Sequence, residues 1–108
     1  LLPRTLAMEL ALTGDPITAQ RAYDLGLVNR LVDGPAIEGA RELARTIAEN
    51  GPLAVRAILA SVRQTFAMPE KEAFDIEMGI GLPVFGSRDA KEGPRAFLEK
   101  RKPVFEGR

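Results

Sequence analysis

Cysteine, histidine and tryptophan are all absent from this chain of 108 residues. Without cysteine, the protein can form neither a disulfide framework nor a thiolate nucleophile. Without histidine, it lacks the commonest general base and the commonest metal ligand, so we expect no metal site. No apolar run approaches the roughly 20 residues that cross a bilayer, and 15 basic residues balance 15 acidic ones. We therefore expect no binding to membranes or nucleic acid, and a location in the cytoplasm.

Side chains that could carry catalysis stand in no familiar catalytic arrangement. The serines, Ser61 and Ser87, lie in no nucleophile elbow. Gly79 and Gly81 are followed by Leu-Pro and do not open a helix, unlike a phosphate-binding glycine loop. The carboxylates within residues 70–77 suit the first turns of a helix, where they complement the dipole and face water. We therefore predict no catalytic residue in this chain.

Apolar periodicity predicts a mainly α protein. The predicted helices cover residues 1–12, 18–25, 36–49, 52–65 and 70–85, followed by a short helix near the end of the chain. Gly14 is predicted to cap the first helix, and Thr18 is predicted to begin the second. Alternating apolar and polar residues over 27–32 predict at most one short extended segment.

The segment 70–85 has an unusually wide apolar surface. Two stripes run along it, one with Phe74, Met78, Leu82 and Phe85 and the other with Ala73, Ile76 and Ile80. Two alternatives fit this pattern: a helix buried among its neighbours, or a face that lines a pocket or a subunit contact. Pro83 cannot donate a backbone hydrogen bond, so a kink or an early helix end is predicted near it.

The end of the chain combines an aromatic side chain with fixed cations. After a polar turn and a Gly-Pro break, a short helix is predicted to carry Phe97 and Lys100 on one face, followed by Arg101 and Lys102. Aromatic faces stack on flat rings and cations pair with phosphate oxygens, so this end suits a ligand that has both. The alternative is a solvated basic helix with Phe97 packed into its own core. For Arg101 and Lys102 the solvated interpretation is kept.

Two long motifs run through the chain. The first is L-T-G-x-x-I-x-A-x-x-A-x-x-x-G-L-V-N, matched at Leu12, Thr13, Gly14, Ile17, Ala19, Ala22, Gly26, Leu27, Val28 and Asn29. The second is S-x-D-x-x-E-G-x-x-A-F-x-E-K-R-x-P-x-F, matched at Ser87, Asp89, Glu92, Gly93, Ala96, Phe97, Glu99, Lys100, Arg101, Pro103 and Phe105. In this order the motifs resemble the enoyl-CoA hydratase/isomerase (crotonase) family over nearly the whole chain. Members of that family are more than twice as long, and this sequence resembles the C-terminal portion of one.

The resemblance implies a fold, namely the C-terminal helical region of a crotonase spiral. Residues 1–33 would then end the spiral core with helices and a short strand, and residues 34–108 would form a helical trimerisation and lid region. In the family, two backbone N–H groups form an oxyanion hole that polarises the thioester carbonyl, and hydratases add water with two glutamates. These groups would precede Leu1, so the 108 residues alone are expected to be inactive.

The resemblance also implies a function. The parent would be an enoyl-CoA hydratase of fatty-acid metabolism, with coenzyme A as part of the substrate and no other cofactor. Phe97 and Lys100 would lie near the adenine and phosphate end of coenzyme A, often acting from the neighbouring subunit of a trimer or a dimer of trimers. The alternatives are another family activity (isomerase, hydrolase or decarboxylase), or a non-catalytic helical module that associates with itself.

Overall fold

The computed structural model describes residues 2–108, which form six helices and no strand. The helices are α1 Arg4–Thr13, α2 Ala19–Asp24, α3 Ala36–Ala48, α4 Pro52–Thr65, α5 Glu70–Phe85 and α6 Arg88–Leu98. The predicted mainly α fold class is confirmed. Residues 27–32 form bends and irregular backbone, because no described segment forms a strand to complete a ladder of backbone hydrogen bonds with them.

The chain divides into two compact units, with the division between Leu43 and Ala44 inside α3. The first unit holds α1, α2 and the first part of α3. The second unit holds the end of α3, then α4, α5, α6 and the terminal segment. The domain boundary predicted after residue 33 rests on the family resemblance and concerns the roles of two parts of a larger fold. It stays a prediction.

Local capping signals place the first two helices. The N–H of Gly14, at a φ of 71°, donates to the carbonyl of Leu10 at 3.0 Å and closes α1 in the left-handed conformation that glycine adopts freely. The hydroxyl of Thr18 accepts a hydrogen bond from the N–H of Arg21 at 3.1 Å and begins α2. Both capping predictions are confirmed.

In the second unit, α4 and α5 pack against each other. Gly51 and Pro52 begin α4, where the missing N–H of proline breaks no helical hydrogen bond. Ile80 and Val84 of α5 share a cleft with Ala60 of α4. The stripe that contains Ala73, Ile76 and Ile80 is half-buried. The helix end predicted near Pro83 falls two residues later, at Phe85.

The other apolar stripes are uncovered. The α5 stripe that contains Phe74, Met78, Leu82 and Phe85 is exposed along its whole length, and Phe85 is 78% exposed. Ile58 and Val62 of α4, and Phe66 just after it, are also exposed, and none of them lines the cleft that α4 shares with α5. The accessible surface of 8957 Å² exceeds the roughly 7,000 Å² expected even for two separate compact domains of this combined size. The second unit therefore presents apolar faces that this chain does not cover.

The last helix differs from its prediction at both ends. α6 begins at Arg88, where the hydroxyl of Ser87 accepts a hydrogen bond from the N–H of Ala90 at 3.0 Å. The residues predicted as a polar turn are therefore helical, and the predicted Gly-Pro break is wrong because Pro94 lies inside the helix. A serine cap and the loss of only one backbone donor allow the helix to pass through the proline. α6 then ends at Leu98, earlier than predicted.

Candidate functional site

Phe97 lies in the last turn of α6 with its ring in solvent. Its neighbour Ala96 is 1% exposed, whereas Phe97 is 82% exposed. Successive residues on a helix point about 100° apart, so burial of the small Ala96 side chain turns the larger ring outward. The alternative in which Phe97 packs into the core of its own chain is therefore wrong. The ring is available to stack on a planar ligand.

Lys100 lies beyond the helix, in a left-handed turn with a φ of 53°. The N–H of Lys100 donates to the carbonyl of Phe97 at 3.2 Å, and the N–H of Arg101 donates to the carbonyl of Ala96 at 3.0 Å. These two bonds define a Schellman motif, in which the residue after the helix cap takes the left-handed conformation. The prediction that Phe97 and Lys100 share one helix face is therefore wrong. The turn, rather than helical spacing, joins the two residues.

Arg101 is tied back onto α6 by its side chain. Its two terminal nitrogens donate to the two carboxylate oxygens of Glu92 at 2.5 and 2.9 Å. The N–H of Val104 also donates to Glu92, at 2.9 Å. The hydrogen bonds from Arg101, with that from Val104, lower the pKa of Glu92 from 4.5 to about 2. Arg101 lies at the surface, but its guanidinium is ion-paired, which corrects the prediction of a simply solvated cation. Lys102 is exposed, as predicted.

Asp89 holds the end of the chain. Its side chain is buried, with the residue only 6% exposed, and its two oxygens accept the N–H groups of Glu106 and Gly107 at 2.7 and 2.8 Å. In the other direction, the N–H of Arg88 donates to the carbonyl oxygen of Arg108 at 2.7 Å. The terminal segment is thus bound to the first turn of α6 from both sides. Asp89 uses its oxygens in these bonds, which fits a structural role.

A shallow cavity of about 340 Å³ lies beside α6, and neither Phe97 nor Lys100 lines it. It is lined by Arg88, Asp89, Lys91, Glu92, Arg95, Val104 and Glu106. Three cations and three carboxylates face it, so its charges balance and do not favour an anion. Phe97 and Lys100 remain the pair of residues that best suits an aromatic phosphate ligand.

Among residues 2–108, no group of three or more acidic side chains is placed to hold a metal ion. Within the same part of the chain, no helix is both long and apolar enough to span a membrane.

The fold and the terminal segment agree with the comparisons to known proteins. A family model described as enoyl-CoA hydratase/isomerase matches residues 1–108. Solved structures of crotonase-fold enoyl-CoA hydratases superpose on this chain; EchA1 of Mycobacterium marinum does so with a TM-score of 0.93 at 45% identity, covering 99% of this chain and 43% of that one. The chain has the C-terminal helical architecture of a crotonase fold. It belongs to the enoyl-CoA hydratase/isomerase family.

Curated relatives point in the same direction. The chain is 57% identical over 108 residues to enoyl-CoA hydratase EchA19 of Mycobacterium tuberculosis, covering 99% of this chain and 41% of that protein. It is 42% identical over 113 residues to the carnitinyl-CoA dehydratase of Salmonella typhi, covering 100% of this chain and 43% of that protein. The chain therefore spans about two fifths of the length of the curated relatives that it matches.

Sequence reasoning found the exposed ring and the lysine of this site but not the pair that supports them. Glu92 and Arg101 are nine positions apart, and Arg101 follows the end of the helix, so helical spacing does not relate them. A carboxylate and an arginine within one family motif were the only signal that could have suggested the pair. The structure brings Phe97 and Lys100 together in one turn, and their role in binding coenzyme A stays a prediction.

Proposed function

We propose that this chain is the C-terminal part of an enoyl-CoA hydratase, which adds water to the double bond of a 2-enoyl-CoA thioester. The observation that carries the proposal is the turn after α6, where an exposed phenylalanine ring stands next to a lysine without an ion pair among the described residues. The matching relative EchA19 is named an enoyl-CoA hydratase, which supports this reaction over the others of the family. The parent enzyme would act in the cytoplasm, in fatty-acid metabolism.

The ligand chemistry follows from the two side chains. Lys100 would place a compact positive charge on the phosphate groups of coenzyme A, and Phe97 would stack on the adenine. Coenzyme A is part of the substrate in this proposal, and no other cofactor is required. The two residues carry recognition rather than bond-making, because a phenyl ring has no proton to transfer and the charge of the lysine is used on the phosphate groups.

Catalysis would come from other parts of the parent enzyme. The oxyanion hole and the two hydratase glutamates would lie outside these residues, so we expect the 108-residue chain alone to have no activity. Assembly as a trimer, or as a dimer of trimers, would cover the exposed apolar faces of α4 and α5 against the spiral core or a neighbouring subunit. In such an assembly Phe97 and Lys100 can serve the site of the next subunit.

The test measures hydration of crotonyl-CoA by the protein expressed from its complete coding sequence. We expect turnover, with no turnover by the 108-residue chain alone. Lys100→Ala should raise KM by about 10-fold or more with little change in kcat, because one charge-assisted hydrogen bond to phosphate is lost. Lys102→Ala removes an exposed cation two residues away and is the matched control. No hydration by the complete protein, or equal effects of the two lysine variants, would contradict the proposal.

A second family activity has its own support. The chain is 42% identical to a relative named carnitinyl-CoA dehydratase, and loss of water from a 3-hydroxyacyl-CoA is the reverse of the proposed hydration, on a different acyl group. A panel of 2-enoyl-CoA, 3-enoyl-CoA and carnitinyl-CoA substrates decides between these reactions. Isomerisation of the 3-enoyl thioester without hydration would identify the parent enzyme as an isomerase instead of a hydratase.

A non-catalytic role for the 108 residues alone is favoured by the exposed stripes on α4 and α5. Such a module would associate with itself through these stripes. Light scattering over a range of concentrations should then show a multimer whose population rises with concentration. A compact monomer at all concentrations would exclude this candidate.

A further inference from the structure

The two residues that flank Lys100 are both tied to α6 by ion pairs. On one side, the carboxylate of Glu99 accepts the Nε–H groups of Arg95 at 2.9 Å and of Arg101 at 2.6 Å. On the other side, Arg101 extends both prongs of its guanidinium to Glu92. In the part of the chain that the structure describes, Lys100 itself has no ion pair. Its backbone is therefore held while its ammonium remains available.

The held conformation is one that lysine does not favour. A φ of 53° lies in the left-handed region, where the Cβ atom crowds the backbone. The Schellman bond from the N–H of Arg101 to Ala96 closes this turn. The bidentate pair with Glu92 anchors the same arginine through its side chain. Without that anchor, part of the population would leave the left-handed turn and Lys100 would change direction relative to Phe97.

We propose that the Glu92–Arg101 pair is a positioning device that presents Lys100, beside the ring of Phe97, to the phosphate groups of coenzyme A. This inference rests on the proposed function and adds the residues that orient the binding group. A preformed turn spares the ligand the free-energy cost of ordering the backbone that carries Lys100. A pair that only anchored the terminal segment, through the bond from Val104 to Glu92, would affect stability without any preference between ligands.

The test compares coenzyme A with pantetheine, which has the same thiol arm but lacks the adenine and the phosphates. Calorimetric titration is made on the protein expressed from its complete coding sequence. Glu92→Gln keeps the size of the side chain and removes its charge. We expect the Kd for coenzyme A to rise about 2- to 10-fold, as when only about a half to a tenth of the molecules hold the turn before binding, while the Kd for pantetheine stays unchanged.

Two further variants separate positioning from stability. Arg101→Lys keeps the charge but loses the two-pronged fork, so it should show the same split between the ligands. Glu106→Gln removes a carboxylate that pairs with Arg108 at 2.6 Å, elsewhere in the terminal segment, and should change neither Kd. Thermal melting is recorded for each variant. If Glu92→Gln is unfolded at the temperature of the titration, Arg101→Lys decides.

The outcomes distinguish this inference from the function on which it rests. If the unmodified protein does not prefer coenzyme A to pantetheine, or if Lys100→Ala leaves that preference intact, the proposed function fails. If Lys100→Ala abolishes the preference while Glu92→Gln and Arg101→Lys bind coenzyme A like the unmodified protein, the positioning role is overturned and the function stands. Equal weakening of both ligands by the two variants would also overturn the positioning role.

Discussion

Replacing Asp89 by asparagine should release the terminal segment from α6. In the native structure each carboxylate oxygen accepts one backbone N–H, from Glu106 at 2.7 Å and from Gly107 at 2.8 Å. Asparagine keeps one neutral acceptor and turns an NH₂ group toward the other donor. One charge-assisted bond is lost and the second becomes neutral, so we expect a local destabilisation of roughly 2–4 kcal/mol. The 6% exposure of Asp89 leaves little room for water to replace the lost partner.

Amide hydrogen exchange measured by NMR reports this release directly. The amides of Glu106 and Gly107 should exchange about 30-fold faster or more in Asp89→Asn, because each 1.4 kcal/mol is a factor of ten. Glu106→Gln is the control, since it removes only exposed ion pairs to Arg88 and Arg108, which contribute little to stability. Native amides at 106 and 107 that exchange at unprotected rates, or that are unaffected by Asp89→Asn, would refute the reasoning.

Three further predictions concern single positions. Lys100→Gly should stabilise the fold by about 1 kcal/mol in thermal melting, because glycine adopts the φ of 53° freely. The same variant should weaken coenzyme A binding. Ala67→Gly, at a φ of 63°, is the control and should stabilise the fold without affecting binding. The pKa of Glu92 is lowered by Arg101 to about 2, so the stability that the pair contributes is complete above about pH 4.5 and is lost as the pH falls toward 2. Urea midpoints of the native protein and Glu92→Gln should therefore converge over that interval, and a constant difference would contradict the pairing. Gly79→Ala should stabilise α5 by about 0.5–1 kcal/mol, because nothing lies within 4 Å of the added Cβ atom; a lower melting temperature would show that the space is occupied in the assembled protein.

Local signals explain why most of the helices could be predicted from the sequence. Residues 52–65 and 70–85 match α4 and α5 at both ends, because glycine and proline mark their boundaries. The cap at Gly14 and the cap at Thr18 depend on hydrogen bonds within one turn of the chain. Such signals require no knowledge of what the helix packs against.

The misses at α6 have both distant and local causes, because distant residues hold its first turn whereas the local Schellman turn at Lys100 ends it early. The start of α6 could not be placed because its first turn is held by the terminal segment, through Asp89 and residues that follow it by 17 and 18 positions. The wide apolar surface of residues 70–85 allowed two interpretations, and in this chain one of its stripes, with Phe74 and Phe85, is exposed. Periodicity shows that a face is apolar, but it does not show which neighbour covers it.

The terminal motif combines two chemical roles, and exposure separates them. Asp89, Glu92 and Arg101 use their hydrogen-bonding groups within the chain, so they act by stabilising α6, the turn after it and the terminal segment. Phe97 and Lys100 stand one turn away with a solvent-exposed ring and a cation that has no ion pair among the described residues. A left-handed lysine is costly unless the turn that imposes it is useful. Glycine would fit that turn without strain, and under the proposed function the charge of Lys100 is what glycine could not supply.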